Sequence, residues 1–174
     1  DKIGGVVFSL GGPLGQTNWL NQFQDKAKTP LLIGMDAEWG VAMRLDSVQA
    51  FPWNMTLGAI QENDIIEEIG FRIGEQAKRL GVHINFAPSV DINTNPSNPI
   101  IGNRSFGEDK NNVSEKGIVF IKGMHKAGVL SSAKHFPGHG DTETDSHLGL
   151  PSINFSKKRI HEVGLYPFKK IIQE

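Results

Sequence analysis

Apolar residues along this chain fall into short continuous runs, separated by longer stretches with helical spacing. Four runs have strand length: Gly5-Val6-Val7-Phe8, Leu31-Leu32-Ile33-Gly34-Met35, Val82-His83-Ile84-Asn85-Phe86 and Val129-Leu130-Ser131-Ser132-Ala133. The first two are almost uninterrupted, the pattern of strands buried on both faces. Trp19, Leu20, Phe23 and Ala27 make one helical stripe, closed by Thr29-Pro30 because a residue before proline avoids the α region. Ile65, Ile66, Ile69, Ile73, Ala77 and Leu80 make a second, with Asn63 or Asp64 placed to cap it and Gly81 to end it. Val113, Gly117, Phe120, Ile121 and Met124 make a third, stopping near Gly128. Ser156 caps a fourth that carries Ile160 and Val163. Pro167 then opens a short further helix through Ile172. The aromatic side chains of Trp19, Phe23 and Trp53 read as core.

The order β-α-β-α-β-α-β-α predicts an α/β protein with a parallel sheet and right-handed crossovers. Two architectures fit: a doubly wound open sheet, or part of a (β/α)8 TIM-type barrel, about four βα units of it. A closed barrel needs about 250 residues, against 174 here, with no internal repeat or linker. The expectation is therefore a single domain over residues 1–174, incomplete as a barrel. The opening on Asp1, with a strand close behind it, suits a fragment. Half a barrel has two unpaired edge strands and an open interior, so it is expected to pack against the remaining polypeptide or self-associate.

Composition narrows the function classes. The net charge is −1 and the pI near 6.7, which argues against nucleic acid and anionic membrane surfaces as partners. No apolar run approaches the roughly 18 residues of a membrane span. Cysteine is absent, which excludes disulfides and thiolate metal sites but leaves the compartment open. The 20 glycines exceed the usual share of about 7%. Many lie in the polar segments after strands two to four, where a barrel builds its active site. Gly11-Gly12-Pro13-Leu14-Gly15 lacks the spacing and the Lys-Ser/Thr pair of a phosphate loop.

The densest chemistry is Lys134-His135-Phe136-Pro137-Gly138-His139-Gly140-Asp141-Thr142, running on to Asp145-Ser146-His147. Lys134 and His135 end the fourth strand, and a glycine-rich loop follows. An i, i+2 spacing on an extended loop lets the Asp145 carboxylate reach the His147 ring, fixing its tautomer and raising its proton affinity. A histidine so tuned can protonate a leaving oxygen and later deprotonate water. A zinc site built on His135 and His139 is the rival reading. Pro137, Gly138 and Gly140 forbid the helix that would align that pair, and Lys134 disfavours a cation. Asp36 and Glu38 end strand two, where polar residues on a barrel strand point to ligand contact, with an ion pair to Arg44 as the plainer alternative. Arg104 sits in Gly102-Asn103-Arg104-Ser105-Phe106-Gly107, a natural fork for hydroxyls or a carboxylate. Asp91 reads as structural, tying its loop down.

Together these segments resemble glycoside hydrolase family 3, and within it the β-N-acetylglucosaminidase branch. The matching pieces are Asp36-Ala37-Glu38-Trp39-Gly40 with Arg44-Leu45, Asn85-Phe86-Ala87-Pro88 with Asp91, Ile101 through Gly107, and the Lys134 to Thr142 run with Asp145-Ser146-His147. They cover almost the whole chain, and the last is highly specific to that branch. The resemblance implies a (β/α)8 catalytic barrel and a retaining exo-hydrolase acting on non-reducing-end β-N-acetylglucosaminides, such as peptidoglycan fragments. It implies that His147 is a mobile-loop acid/base, with Asp145 its dyad partner. Asp36, Arg44, Arg104, Lys134 and His135 would bind the sugar hydroxyls in the −1 subsite. The nucleophile would be an Asp on a later strand, outside this chain. No metal and no organic cofactor are implied. Trp39 stands where the family usually has a second Gly, and Val41 where it has an Arg, which alters the pocket wall and bears on the aglycone. Family members occur in the cytoplasm and in the cell envelope.

Three other functions compete. A β-glucosidase of the same family usually draws its acid/base from a second domain and lacks the Asp-x-His loop. A phosphorolytic β-glycosidase would replace water by phosphate. A non-catalytic sugar-binding fragment is what 174 residues without the nucleophile would be by themselves.

Overall fold

A computed structural model describes residues 3–142 and 155–174. Its four strands are β1 (Gly5–Val7), β2 (Leu32–Met35), β3 (Ile84–Asn85) and β4 (Leu130–Ser131). All pair in parallel in the order β1-β2-β3-β4. A doubly wound sheet reverses its strand order at a switch point, whereas a barrel lays each strand beside its predecessor. The observed order is that of four consecutive units of a (β/α)8 barrel.

Helix α1 (Pro13–Lys26) follows β1. A short α2 (Asn54–Gly58), which the periodicity does not announce, and α3 (Asn63–Arg79) follow β2. Helix α4 (Lys110–Lys126) follows β3, and α5 (Lys157–Glu162) and α6 (Tyr166–Ile172) follow β4. The Ser156 hydroxyl accepts from the Arg159 N–H, so α5 carries the expected cap. The cap of α3 differs from expectation. Glu62 occupies that position without a side-chain bond, and the Asn63 side chain instead accepts from Lys116 Nζ on α4 at 2.7 Å. A buried ammonium is a more demanding donor than a helix-end amide that water can reach.

The core lies between the sheet and the helices, built on Ile33, Met35, Ile66, Ile73, Phe120 and Met124. Helices α3 and α4 cross backbone against backbone. A methyl group on Gly123 would overlap the Glu67 carbonyl, and one on Gly70 the Phe120 carbonyl. The other sheet face corrects the expectation of strands buried on both sides. Val7, Leu32 and Leu130 are half exposed, because they point into the barrel interior, which among the described residues only four strands line. The aromatic residues expected in the core are corrected too. Trp19, Phe23 and Trp53 all lie at the surface. On α1 it is Gln16 and Leu20 that turn inward, leaving Trp19 and Phe23 stacked on each other outside. Among the described residues, no helix is long and apolar enough to cross a membrane.

Candidate active site

The site is assembled at the carboxyl ends of the strands, and buried amides hold its loops there. Asn85, at the end of β3, accepts from the Ala37 N–H at 2.9 Å and donates to the Ala37 carbonyl at 3.1 Å. This two-point contact fixes the turn between Asp36 and Glu38. The Lys134 segment is laid beside the β3 extension by Val90 N–H donating to the Lys134 carbonyl at 2.8 Å. Asn54, on α2, donates to the Arg104 carbonyl at 2.8 Å.

The side chains form one continuous chain of ion pairs. Asp36 accepts from Arg44 at 2.7 Å and from Lys134 at 2.8 Å. Lys134 also sits 2.8 Å from Glu38. Arg104 forks onto both Glu38 oxygens, Nε at 3.0 Å and Nη2 at 2.7 Å. Nη2 of Arg104 lies 3.1 Å from His135 Nε2, and His135 Nδ1 lies 2.6 Å from Asp91. A guanidinium only donates and a carboxylate only accepts. The partners therefore assign the proton to Nδ1 and leave Nε2 as an acceptor. Asp91 also accepts from the backbone N–H of His135 and of His139, and from the Ser89 hydroxyl.

The cluster is layered. Glu38 and Asp91, each about 1% exposed, form the floor. Asp36, Arg44, Arg104, Lys134 and His135 keep part of their surface open above it. Three cations face three carboxylates, so the charge balances. The open layer offers cationic donors beside one carboxylate acceptor. That combination suits neighbouring hydroxyls, each of which donates once and accepts. A concavity of about 780 Å³, lined by Gln49, Phe51, Arg72 and Lys126, among others, shares no residue with this cluster.

The Glycosyl hydrolase family 3 N terminal domain model matches residues 15–174. The chain belongs to this family. It is 43% identical over 155 residues to the β-hexosaminidase A of Pseudoalteromonas piscicida, covering 86% of this chain and 26% of that protein. It is 35% identical over 162 residues to a β-hexosaminidase of Haemophilus influenzae, covering 89% and 45%. Its fold superposes with a TM-score of 0.91 on a glycoside hydrolase family 3 β-N-acetylglucosaminidase from a Paenibacillus species, at 38% identity, covering 98% of this chain and 34% of that one. This family 3 chain thus spans between about a quarter and less than half of these relatives.

Of the seven site residues anticipated from sequence, the structure brings five together: Asp36, Arg44, Arg104, Lys134 and His135. Asp145 and His147 lie outside the described residues. On either side of that segment, Asp141 is gripped by Arg159 at 2.8 and 3.0 Å. The ion pair weighed as the plain alternative for Asp36 does form, yet within the larger chain rather than instead of it. Glu38 is underrated by the sequence, whereas Asp91 is the loop anchor it reads as, holding the His135 and His139 backbone amides. Glu38 and Asp91 belong to the site as its buried counter-charges. A signal for them was present: the five residues brought together hold three fixed cations and one carboxylate, and such a set cannot be partly buried without further anions.

Burial drives the Asp91 carboxyl upward. The His135 ring bond, any charge on that ring, the His139 amide and the Ser89 hydroxyl outweigh it and hold Asp91 below its ordinary 3.8. Burial likewise raises Glu38, but Arg104 and Lys134 bring it below 4.5. Asp36 is lowered against its own burial by Lys134 and then Arg44. Carboxyls with depressed values in the folded state bind protons more readily when unfolded. The stability they contribute is present above their unfolded values and is lost as pH falls toward the folded ones. Urea midpoints should therefore hold steady from about pH 7 down to about pH 5 as far as these groups are concerned, and decline below about pH 4.5. A Glu38→Gln protein should show a shallower decline, and equal slopes would refute the assignment for Glu38.

Proposed function

We propose that this chain supplies the sugar-binding half of a retaining exo-glycosidase that removes non-reducing-end β-N-acetylglucosamine, peptidoglycan fragments being suitable substrates. The observation that carries the reading is the open layer of Asp36, Arg44, Arg104, Lys134 and His135 at the strand ends, its charge balanced by the buried Glu38 and Asp91 beneath it. It is supported by family membership and by relatives named β-hexosaminidase. Arg104, Lys134 and Arg44 donate to the hydroxyls of the terminal sugar, Asp36 accepts from them, and the buried Glu38 and Asp91 keep the donors aimed. His147, oriented by Asp145, protonates the glycosidic oxygen while an aspartate outside this chain attacks the anomeric carbon. The resulting glycosyl-enzyme is released by water that His147 deprotonates. An imidazole in this role, unlike a carboxylate, does not repel an anionic aglycone.

The test is hydrolysis of 4-nitrophenyl β-N-acetylglucosaminide by this chain and by a form extended to close the barrel. Only the extended form should turn over. Turnover by the short chain would place a nucleophile within these 174 residues. Preference of the extended form for the β-glucoside would favour the glucosidase reading, and a sugar phosphate formed on adding phosphate would favour phosphorolysis. Sugar binding without turnover would leave the chain as a binding module.

A further inference from the structure

Trp39 and Trp53 stack nearly parallel, with ring centroids 4.4 Å apart and planes 9° apart. Their loop is closed by the Phe51 N–H donating to the Trp39 carbonyl at 2.9 Å. Trp53 remains 43% exposed although Trp39 covers one of its faces. Its open surface therefore lies away from that stack, on the other face and the ring edges. An indole left in water gains nothing for the fold from its open surface, since apolar area stabilises only when water is removed from it.

The pair is tied to the site from both ends. Trp39 directly follows Glu38, which holds Arg104 and Lys134. Trp53 directly precedes Asn54, whose side chain holds the Arg104 carbonyl. The platform is thus fixed to the same elements that aim the donors.

We propose that Trp53, backed by Trp39, is a stacking platform for a second pyranose ring, making the site selective for β-linked N-acetylglucosamine oligosaccharides over simple glycosides. A pyranose chair whose substituents are all equatorial presents C–H bonds on both faces. Such a face is apolar and flat enough to lie on an indole, while the ring's hydroxyls stay hydrated at its edge. Trp39 lends rigidity, because a stacked indole loses little further freedom when the sugar lands.

This inference rests on the glycosidase reading, and the experiment separates the two. In the barrel-complete protein, kcat/KM is compared for di-N-acetylchitobiose and for methyl β-N-acetylglucosaminide, whose aglycone has no ring. Trp53→Ala should lower the disaccharide-to-methyl ratio at least tenfold, mainly through KM, while Trp53→Phe keeps most of it. An unchanged ratio in Trp53→Ala overturns the platform. If neither substrate turns over, the glycosidase reading fails, and calorimetric binding decides the platform. The unaltered protein should then bind chitobiose at least tenfold more tightly than N-acetylglucosamine, and Trp53→Ala should bind both alike. Equal affinities in the unaltered protein, or no binding, overturn it.

Discussion

Glu38→Gln should destabilise the fold by about 3 kcal/mol, the lower end of what removing one partner of a buried ion pair costs. The carboxylate is almost wholly buried and is the shared partner of Arg104 and Lys134. Glutamine matches its shape but supplies one acceptor oxygen and an N–H₂ aimed at a cation. Arg104 loses its fork. Lys134 keeps Asp36, which is why the estimate stays at the low end. Arg44→Ala is the control, because that pair is open to solvent and is worth no more than about 1 kcal/mol. Denaturant titration of the barrel-complete protein checks both. A loss under about 1 kcal/mol for Glu38→Gln would mean that the site cations are held by something else. Where the variant folds, KM for the sugar should rise, since Arg104 is no longer aimed.

His147→Ala should lower kcat/KM by about 10²- to 10⁴-fold for a disaccharide, the range for loss of a positioned general acid. The loss should be much smaller for a nitrophenyl glycoside. Nitrophenolate is a stable anion that departs without being protonated, whereas a sugar alkoxide is not. Folding should be unaffected, in contrast to Glu38→Gln. Equal losses for the two leaving groups would mean that His147 does something other than protonate the leaving oxygen. Asp145→Asn should shift the pH profile of kcat/KM, because an amide no longer holds the imidazolium as a carboxylate does.

Much of this molecule is legible along the chain. Helix α3 declares itself by Ile66, Ile73 and Ala77 and α4 by Val113, Phe120 and Met124, and a glycine follows each, Gly81 and Gly128. Asp36, Lys134 and His135 are marked by position alone, as polar residues just past apolar strands. Other features are silent in one dimension. Helix α2 is too short for a helical stripe to register. Asn85 looks like a flaw in an apolar strand until its amide is seen clasping Ala37. Asp91 reads as a loop anchor because nothing in its neighbourhood names the three backbone and side-chain donors that arrive from the Lys134–His139 segment, more than forty residues on.

The sequence by itself determined the strands and the longer helices, their alternation, the strand ends where the polar cluster gathers and the family. These depend on local propensity, periodicity and short motifs, all of which act over a few residues. Tertiary structure alone decided that the strands pair in the order β1-β2-β3-β4, that Glu38 and Asp91 are the buried counter-charges of three cations, and that Trp53 faces water instead of the core. Each of these turns on which distant groups share a space. Burial cost and Coulomb energy depend on that spacing, not on separation along the chain.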